Sequence, residues 1–151
     1  MRIGIFALVS EIPFDLAFEG KVLEFHSQNV MFTLFIALGM LYFLREWEGN
    51  AWARCLVFLA GCLLGGLLRV DYGWFGVAVV GFFYLLRFLP KGYQFLFLGL
   101  LFCSYGGIEC FGMIGVLCVL LYREDRETFP LPKYLFYVFY PLHLILLCCI
   151  A

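Results

Sequence analysis

The stretch SEIPFDLAF, residues 10–18, completes an apolar run that begins with MRIGIFALV. It places Ser10, Glu11, Pro13 and Asp15 in a segment that is otherwise suited to a lipid-facing helix. A charged side chain near the centre of a membrane helix costs roughly 2.5–3.5 kcal/mol even on the lenient insertion scale, so such residues usually have a function. The stretch therefore predicts a helix that carries a polar site inside an apolar bundle.

The composition indicates a protein whose partner is the lipid bilayer. Of the 151 residues, 65% are hydrophobic and 14% are charged, and the mean hydropathy is +1.00. Soluble domains are about half apolar and a quarter charged. The net charge of −1 argues against nucleic acid as a partner, because phosphate backbones require a basic excess. The seven cysteines lack the spacing of a metal site, so we expect packing roles and no metal.

Apolar runs alternate with polar interruptions along the whole chain. They lie at about 3–18, 29–44, 52–70, 72–90, 93–107, 108–122 and 134–150. Since about 20 helical residues cross the hydrocarbon core, we expect an all-α, polytopic transmembrane bundle with about seven membrane segments. The break at Tyr105, Gly106 and Gly107 is either a tight turn between two short helices or the tip of a re-entrant hairpin.

The distribution of basic residues predicts the orientation of this bundle. With 93–122 taken as a down-and-up pair, Lys21 and Arg69 fall on one face and the remaining eight of the ten basic residues fall on the other. Those eight are Arg2, Arg45, Arg54, Arg87, Lys91, Arg123, Arg126 and Lys133. Because cytoplasmic loops carry the Lys and Arg excess, we expect a cytoplasmic N-terminus and an external C-terminus. Gly61 and Gly65 form a G-x-x-x-G pattern that predicts close helix packing.

Two ionisable groups from opposite ends of the chain are expected at the same depth. Glu11 lies about 13 Å along its helix from Arg2, and Asp15 follows one turn later on the same stripe. His143 lies about 15 Å along the last helix, again near the midplane. A neutral imidazole beside a carboxylate is a general base, so we expect Glu11 and His143 to face each other directly or through water. The alternatives are acids that only hold helices together and a histidine that only packs.

Further polar residues gather in the predicted outer half of the bundle. Asn29 and Thr33 are one helical turn apart, and Arg69, Asp71 and Tyr72 form a corner between two apolar runs. They are candidates for binding an acceptor. Asp71 has the alternative role of capping the helix that follows it.

Four segments, SEIPFDLAF, NVMFTL, DYGWFGV and KYLFYVFYPLHL, resemble the TraX family in their order and spacing. This family consists of bacterial multi-pass membrane proteins, and its founding member acetylates the N-terminus of conjugative pilin. The resemblance extends from about Phe6 to Leu147. It implies an acyltransferase of the bacterial inner membrane that moves acetyl from acetyl-CoA to an amine or hydroxyl acceptor, which is a protein or a small molecule.

The resemblance also implies roles for individual residues. Proton transfer would fall to His143, Glu11 and Asp15. The acceptor side would be lined by Asn29, Thr33, Arg69, Asp71, Tyr72 and Tyr140. Family members usually begin with further helices, so we expect residues 1–151 to be one membrane-embedded domain from the C-terminal part of a longer architecture. The competing hypotheses are a transporter that uses the carboxylates as a proton relay, and an accessory membrane protein without chemistry of its own.

Overall fold

Seven helices make up the part of the chain that the computed structural model describes, residues 2–18, 28–107, 111–121 and 135–150. They are α1 (Arg2–Phe18), α2 (Val30–Glu46), α3 (Ala51–Leu67), α4 (Gly73–Leu85), α5 (Lys91–Tyr105), α6 (Gly112–Leu121) and α7 (Leu135–Ile150). Each helix falls within or beside one of the apolar runs. The prediction of an all-α fold is therefore confirmed.

The helices are short in relation to a bilayer. The longest contain 17 residues. Within the described ranges, no helix combines the length and the apolar character needed to cross a membrane. Many outward-facing side chains are nevertheless large and apolar, among them Trp52, which is 83% exposed, and Leu67, which is 69% exposed. The membrane crossings remain a prediction from the composition.

Helix α2 lies at the centre of the contacts between helices. It packs against α1, α3 and α4, while α1 also packs against α7. One core cluster joins α2 to α4 through Ala37, Met40, Leu44 and Val77. A second cluster joins α4 to α5 and α6 through Phe75, Leu98, Phe102, Val116 and Leu120. Helix α4 thus belongs to both core clusters and connects α2 to α5 and α6.

Glycines on α3 permit close helix packing, as the sequence predicts. A Cβ atom added at Gly61 would lie 2.7 Å from the Met40 sulfur on α2. A Cβ atom at Gly65 would lie 2.8 Å from Val77 Cγ2 and 2.9 Å from the Gly73 carbonyl oxygen. Real side chains do not tolerate such distances, so glycine at these positions brings α3 against both of its neighbours.

Helices α5 and α6 form an antiparallel pair. Gly99 on α5 faces Met113 on α6, and Phe102 faces Gly112, so residues later in one helix meet residues earlier in the other. Helix α5 ends where Gly106 and Gly107 adopt positive φ angles of 78° and 69°, which glycine reaches without steric cost. Two short helices separated by this break agree with both interpretations of the 93–122 stretch.

Candidate functional site

The buried side chain of Asn29 connects α1 to the first turn of α2. Its amide oxygen accepts a hydrogen bond from the Met31 backbone N–H at 2.9 Å, as an N-cap residue does. Its amide nitrogen donates to the Ala7 carbonyl at 2.8 Å and to Glu11 Oε2. The Asn29 backbone N–H also faces Glu11 Oε2, at 3.4 Å. Asn29 therefore holds the Glu11 carboxylate at the N-terminus of a helix, where the helix dipole favours negative charge.

The buried face of α1 carries oxygen atoms from three side chains. Ser10 and Asp15 are fully buried and Glu11 is nearly so. Asp15 acts electrostatically on Glu11, as expected for acids one turn apart on the same stripe. Among the described groups, Ser10 Oγ and Glu11 Oε1 lack a hydrogen-bond partner. An unpaired buried polar group is costly, so these two atoms mark the buried face of α1 as a candidate functional site.

Sequence reasoning did not assign Ser10 to the site. Its position one residue before Glu11 and one turn after Ala7 is the signal that places it on the same arc of the helix. A helix turns 100° per residue, so these three side chains share a buried face.

Tyr140 brings α7 to the same place. The backbone N–H of Val30, the first residue of α2, lies close enough to the Tyr140 hydroxyl to act on it electrostatically. Asp71, Glu11 and Tyr72 lie close enough to this hydroxyl to act on it electrostatically. Tyr140, on a helix that packs against α1, thus lies within electrostatic range of the start of α2 and of the corner before α4.

His143 lies one turn beyond Tyr140 and does not pair directly with Glu11. Its Nδ1 is 3.3 Å from the Phe139 carbonyl oxygen, and its ring contacts the rings of Phe139 and Tyr140 at centroid distances of 5.5 and 5.3 Å. Within the described residues, the hydrogen bonds of Glu11 go to Asn29 instead. Since a carbonyl only accepts, Nδ1 is the donor in this contact, and in the neutral form of the ring the lone pair then lies on Nε2.

The corner between α3 and α4 is fastened to the residue before Asn29. The Gln28 N–H donates to the Arg69 carbonyl at 3.0 Å, and the Asp71 N–H donates to the Gln28 carbonyl at 2.7 Å. Arg69 contributes its backbone in the left-handed region, with φ 50°, while its side chain is exposed. The corner thus brings Asp71 and Tyr72 beside Asn29.

The interpretation of Asp71 as a helix cap is wrong. Tyr72 occupies the position before α4, and that helix begins without a side-chain cap. Partial burial raises the pKa of the Asp71 carboxyl above its ordinary value. Asp71 instead acts electrostatically on Tyr140. We define Ser10, Glu11, Asp15, Asn29 and Tyr140 as the polar cluster.

Beside this polar cluster, a pocket of about 430 Å³ opens between α2, α4, α5 and α6. Thr33 and Tyr72 line it, so two of the sequence-predicted acceptor residues share this space. Most of its wall is apolar and comes from residues that the sequence did not single out, such as Phe75 and Phe102. They were missed because their pattern is that of ordinary core residues.

Comparison with known proteins identifies the family. A family model described as TraX protein matches residues 1–151, the whole of this sequence. No curated protein and no solved structure matches the chain significantly. The match includes the four segments that carry the resemblance, and three of them contribute Glu11, Asn29 and Tyr140 to the polar cluster. The chain belongs to the TraX family.

Proposed function

We propose that this chain is an integral-membrane acyltransferase that moves acetyl from acetyl-CoA to an amine or hydroxyl acceptor. The observation that carries the proposal is the polar cluster, of which all members but the half-buried Tyr140 are buried within a bundle that exposes many large apolar side chains. Buried polar groups are costly, and ionisable groups within membrane proteins commonly mark functional sites. Membership of the TraX family supports the class of reaction.

In this proposal, His143 is the general base. Its Nε2 lone pair takes the proton from the acceptor N–H or O–H while the acceptor atom attacks the thioester carbonyl. The C–S bond then breaks, and the departing coenzyme A thiolate takes the proton from His143. Glu11 and Asp15 stabilise the imidazolium that exists between these two proton transfers. The contact between the rings of Tyr140 and His143 links this base to the polar cluster.

The phosphates of the donor would bind at the opposite end of α2. The basic residues Arg45, Arg54, Arg87 and Lys91 lie near the helix ends that meet there. Within the described part of the chain, Arg54 Nε is buried without a hydrogen-bond acceptor, and a phosphate oxygen would supply one. Arg87 pairs with Glu48 and holds the two loops at this end together.

We place the bundle in the bacterial inner membrane with this basic end in the cytoplasm. The apolar outward side chains and the excess of Lys and Arg support this orientation. The C-terminus would then lie outside. If Arg126→Cys, in a background without native cysteines, reacts with an impermeant thiol reagent in intact cells, the orientation is wrong.

The test of function is acetyl transfer by the purified full-length protein, normalised to folded material. His143→Ala should lower turnover by about 10²–10⁴-fold, the usual contribution of a placed base. Leu142→Ala is the matched control, because its side chain is adjacent in the helix and exposed. Normal turnover in His143→Ala would make this histidine a packing residue. Failure to bind coenzyme A would favour the transporter or the accessory protein.

A further inference from the structure

The pocket beside the polar cluster has one polar end and apolar walls. Thr33 and Tyr72, which both lie against Gly76, form the polar end, and Phe75, Val79 and Phe102 form part of the walls. Val30, which also lines the pocket, directly follows Asn29 of the polar cluster, and Thr33 lies one helical turn after Asn29. The polar end of the pocket is therefore also an edge of the polar cluster.

Thr33 places an unpaired, buried hydroxyl beside the pocket. The side chain is 3% exposed, and its Oγ1 has no hydrogen-bond partner among the described groups. Most buried hydroxyls in folded proteins are paired, and one left unpaired requires an explanation. The hydroxyl is covered in this structure, so the Thr33 side chain would have to rotate for a polar group of a bound molecule to pair it.

The walls of the pocket are closely packed. The Phe75 ring packs edge-on against Phe102 at a centroid distance of 5.1 Å and stacks on Tyr105 at 4.2 Å. A Cβ atom at Gly76 would lie 2.7 Å from both Thr33 Cγ2 and Tyr72 Cβ, so α4 is pressed against α2 here. The pocket is thus preformed, and its volume of about 430 Å³ is in the range of small-molecule sites.

We propose that this pocket binds an apolar group, a short aliphatic chain or a single aromatic ring, that the acceptor carries next to its reacting amine or hydroxyl. The inference rests on the proposed function and deepens it. The acetyl group of the donor would leave most of the space empty. Water is a poor occupant, because the apolar walls offer few of the partners that a buried water needs.

The first experiment measures acetyl transfer to primary alcohols and amines of increasing chain length, and to a benzyl analogue. In the unaltered protein, kcat/KM should rise by about 4-fold per added methylene until the pocket is full. Val79→Phe should narrow the pocket and cut the advantage of long acceptors over short ones by at least about 10-fold. Val119→Phe, on an exposed part of α6, is the control and should keep the original profile. A profile independent of chain length would overturn the proposal.

The second experiment measures binding without turnover and uses the unaltered protein. A diazirine-bearing hexanol should label residues 30–34 and 72–79, and excess hexanol should suppress this labelling. Competed labelling without any acetyl transfer would support the pocket and reject the proposed function. Acetyl transfer with neither competed labelling nor dependence on chain length would reject the pocket and keep the function. Because no variant is involved, the result is decisive even if Val79→Phe does not fold.

Discussion

Asn29 and Asn50 have the same local role at opposite ends of α2 and end in different environments. Each precedes a helix and accepts a hydrogen bond from its first turn, Asn29 from Met31 and Asn50 from Ala53. Asn50 is exposed and does little more than cap α3. Asn29 is fully buried, and its side chain also binds Ala7 and Glu11 on another helix. Tertiary contacts therefore turn an ordinary helix cap into the centre of a site.

The surroundings of the two asparagines differ in the same way. Near Asn50, the ion pair between Glu48 and Arg87 is exposed to solvent, where such pairs stabilise proteins little. Near Asn29, the polar groups lie between helices, where each unpaired group is costly. The same substitution should consequently lower the free energy of unfolding more at Asn29 than at Asn50.

The largest effect is expected when the buried asparagine is truncated. Asn29→Ala removes a helix cap and leaves Glu11 and the Ala7 carbonyl without their partner, so it should lower the free energy of unfolding by about 3–5 kcal/mol. Asn50→Ala, the matched control, should lower it by about 1 kcal/mol. The measurement is unfolding by SDS in mixed micelles. Equal losses would show that both residues act only as caps.

The next effect concerns the helix contact that places the corner at Asn29. Gly65→Ala would force a methyl group against Val77 and the Gly73 carbonyl, so it should cost about 1–3 kcal/mol. Gly39→Ala meets no atom within 4 Å and should gain up to about 1 kcal/mol in helix stability. Thermal unfolding in detergent measures both. A Gly65→Ala variant as stable as the original protein would mean that α3 and α4 need not approach so closely.

At the other end of α2, the exposed ion pair should contribute less. Glu48→Gln should lower the free energy of unfolding by about 0.2–1 kcal/mol. The loss should shrink as salt is added, because ions screen exposed charges. Unfolding in low and high salt tests this, with Glu46→Gln as a control on the neighbouring exposed acid. If Glu48→Gln lowered the free energy of unfolding more than Gly65→Ala does, the exposed end of α2 would not be the less important one for stability.

The smallest effect is expected from Asp71, whose carboxyl is only partly shielded. Partial burial raises its pKa in the folded protein above the ordinary value of 3.8. Folding therefore favours the protonated form, and this stabilisation is lost as pH rises through the folded pKa. Asp71→Asn should melt like the original protein below about pH 3.8 and slightly higher at neutral pH. The opposite sign would mean that the charged carboxylate has a stabilising partner.

The sequence by itself determined the helices. Each apolar run became a helix because helix formation depends on local length, apolar periodicity and breakers such as Gly106 and Gly107. The close approach at Gly61 and Gly65 was predictable for the same reason, since the spacing of two small residues on one face is a local property.

Only the tertiary structure decided which polar groups meet. Position along a helix gives the depth of Glu11 and His143, but it does not give the direction in which α7 turns its side chains. Tyr140 lies near the N-terminus of α2. The Glu11 carboxylate, which was expected to pair with His143, instead accepts a hydrogen bond from Asn29, 18 residues away in sequence. The pocket beside them is lined by residues from α2, α4, α5 and α6 and exists only when these helices are packed together. Such a site depends on the relative rotation of helices, which is set by packing between residues far apart in sequence.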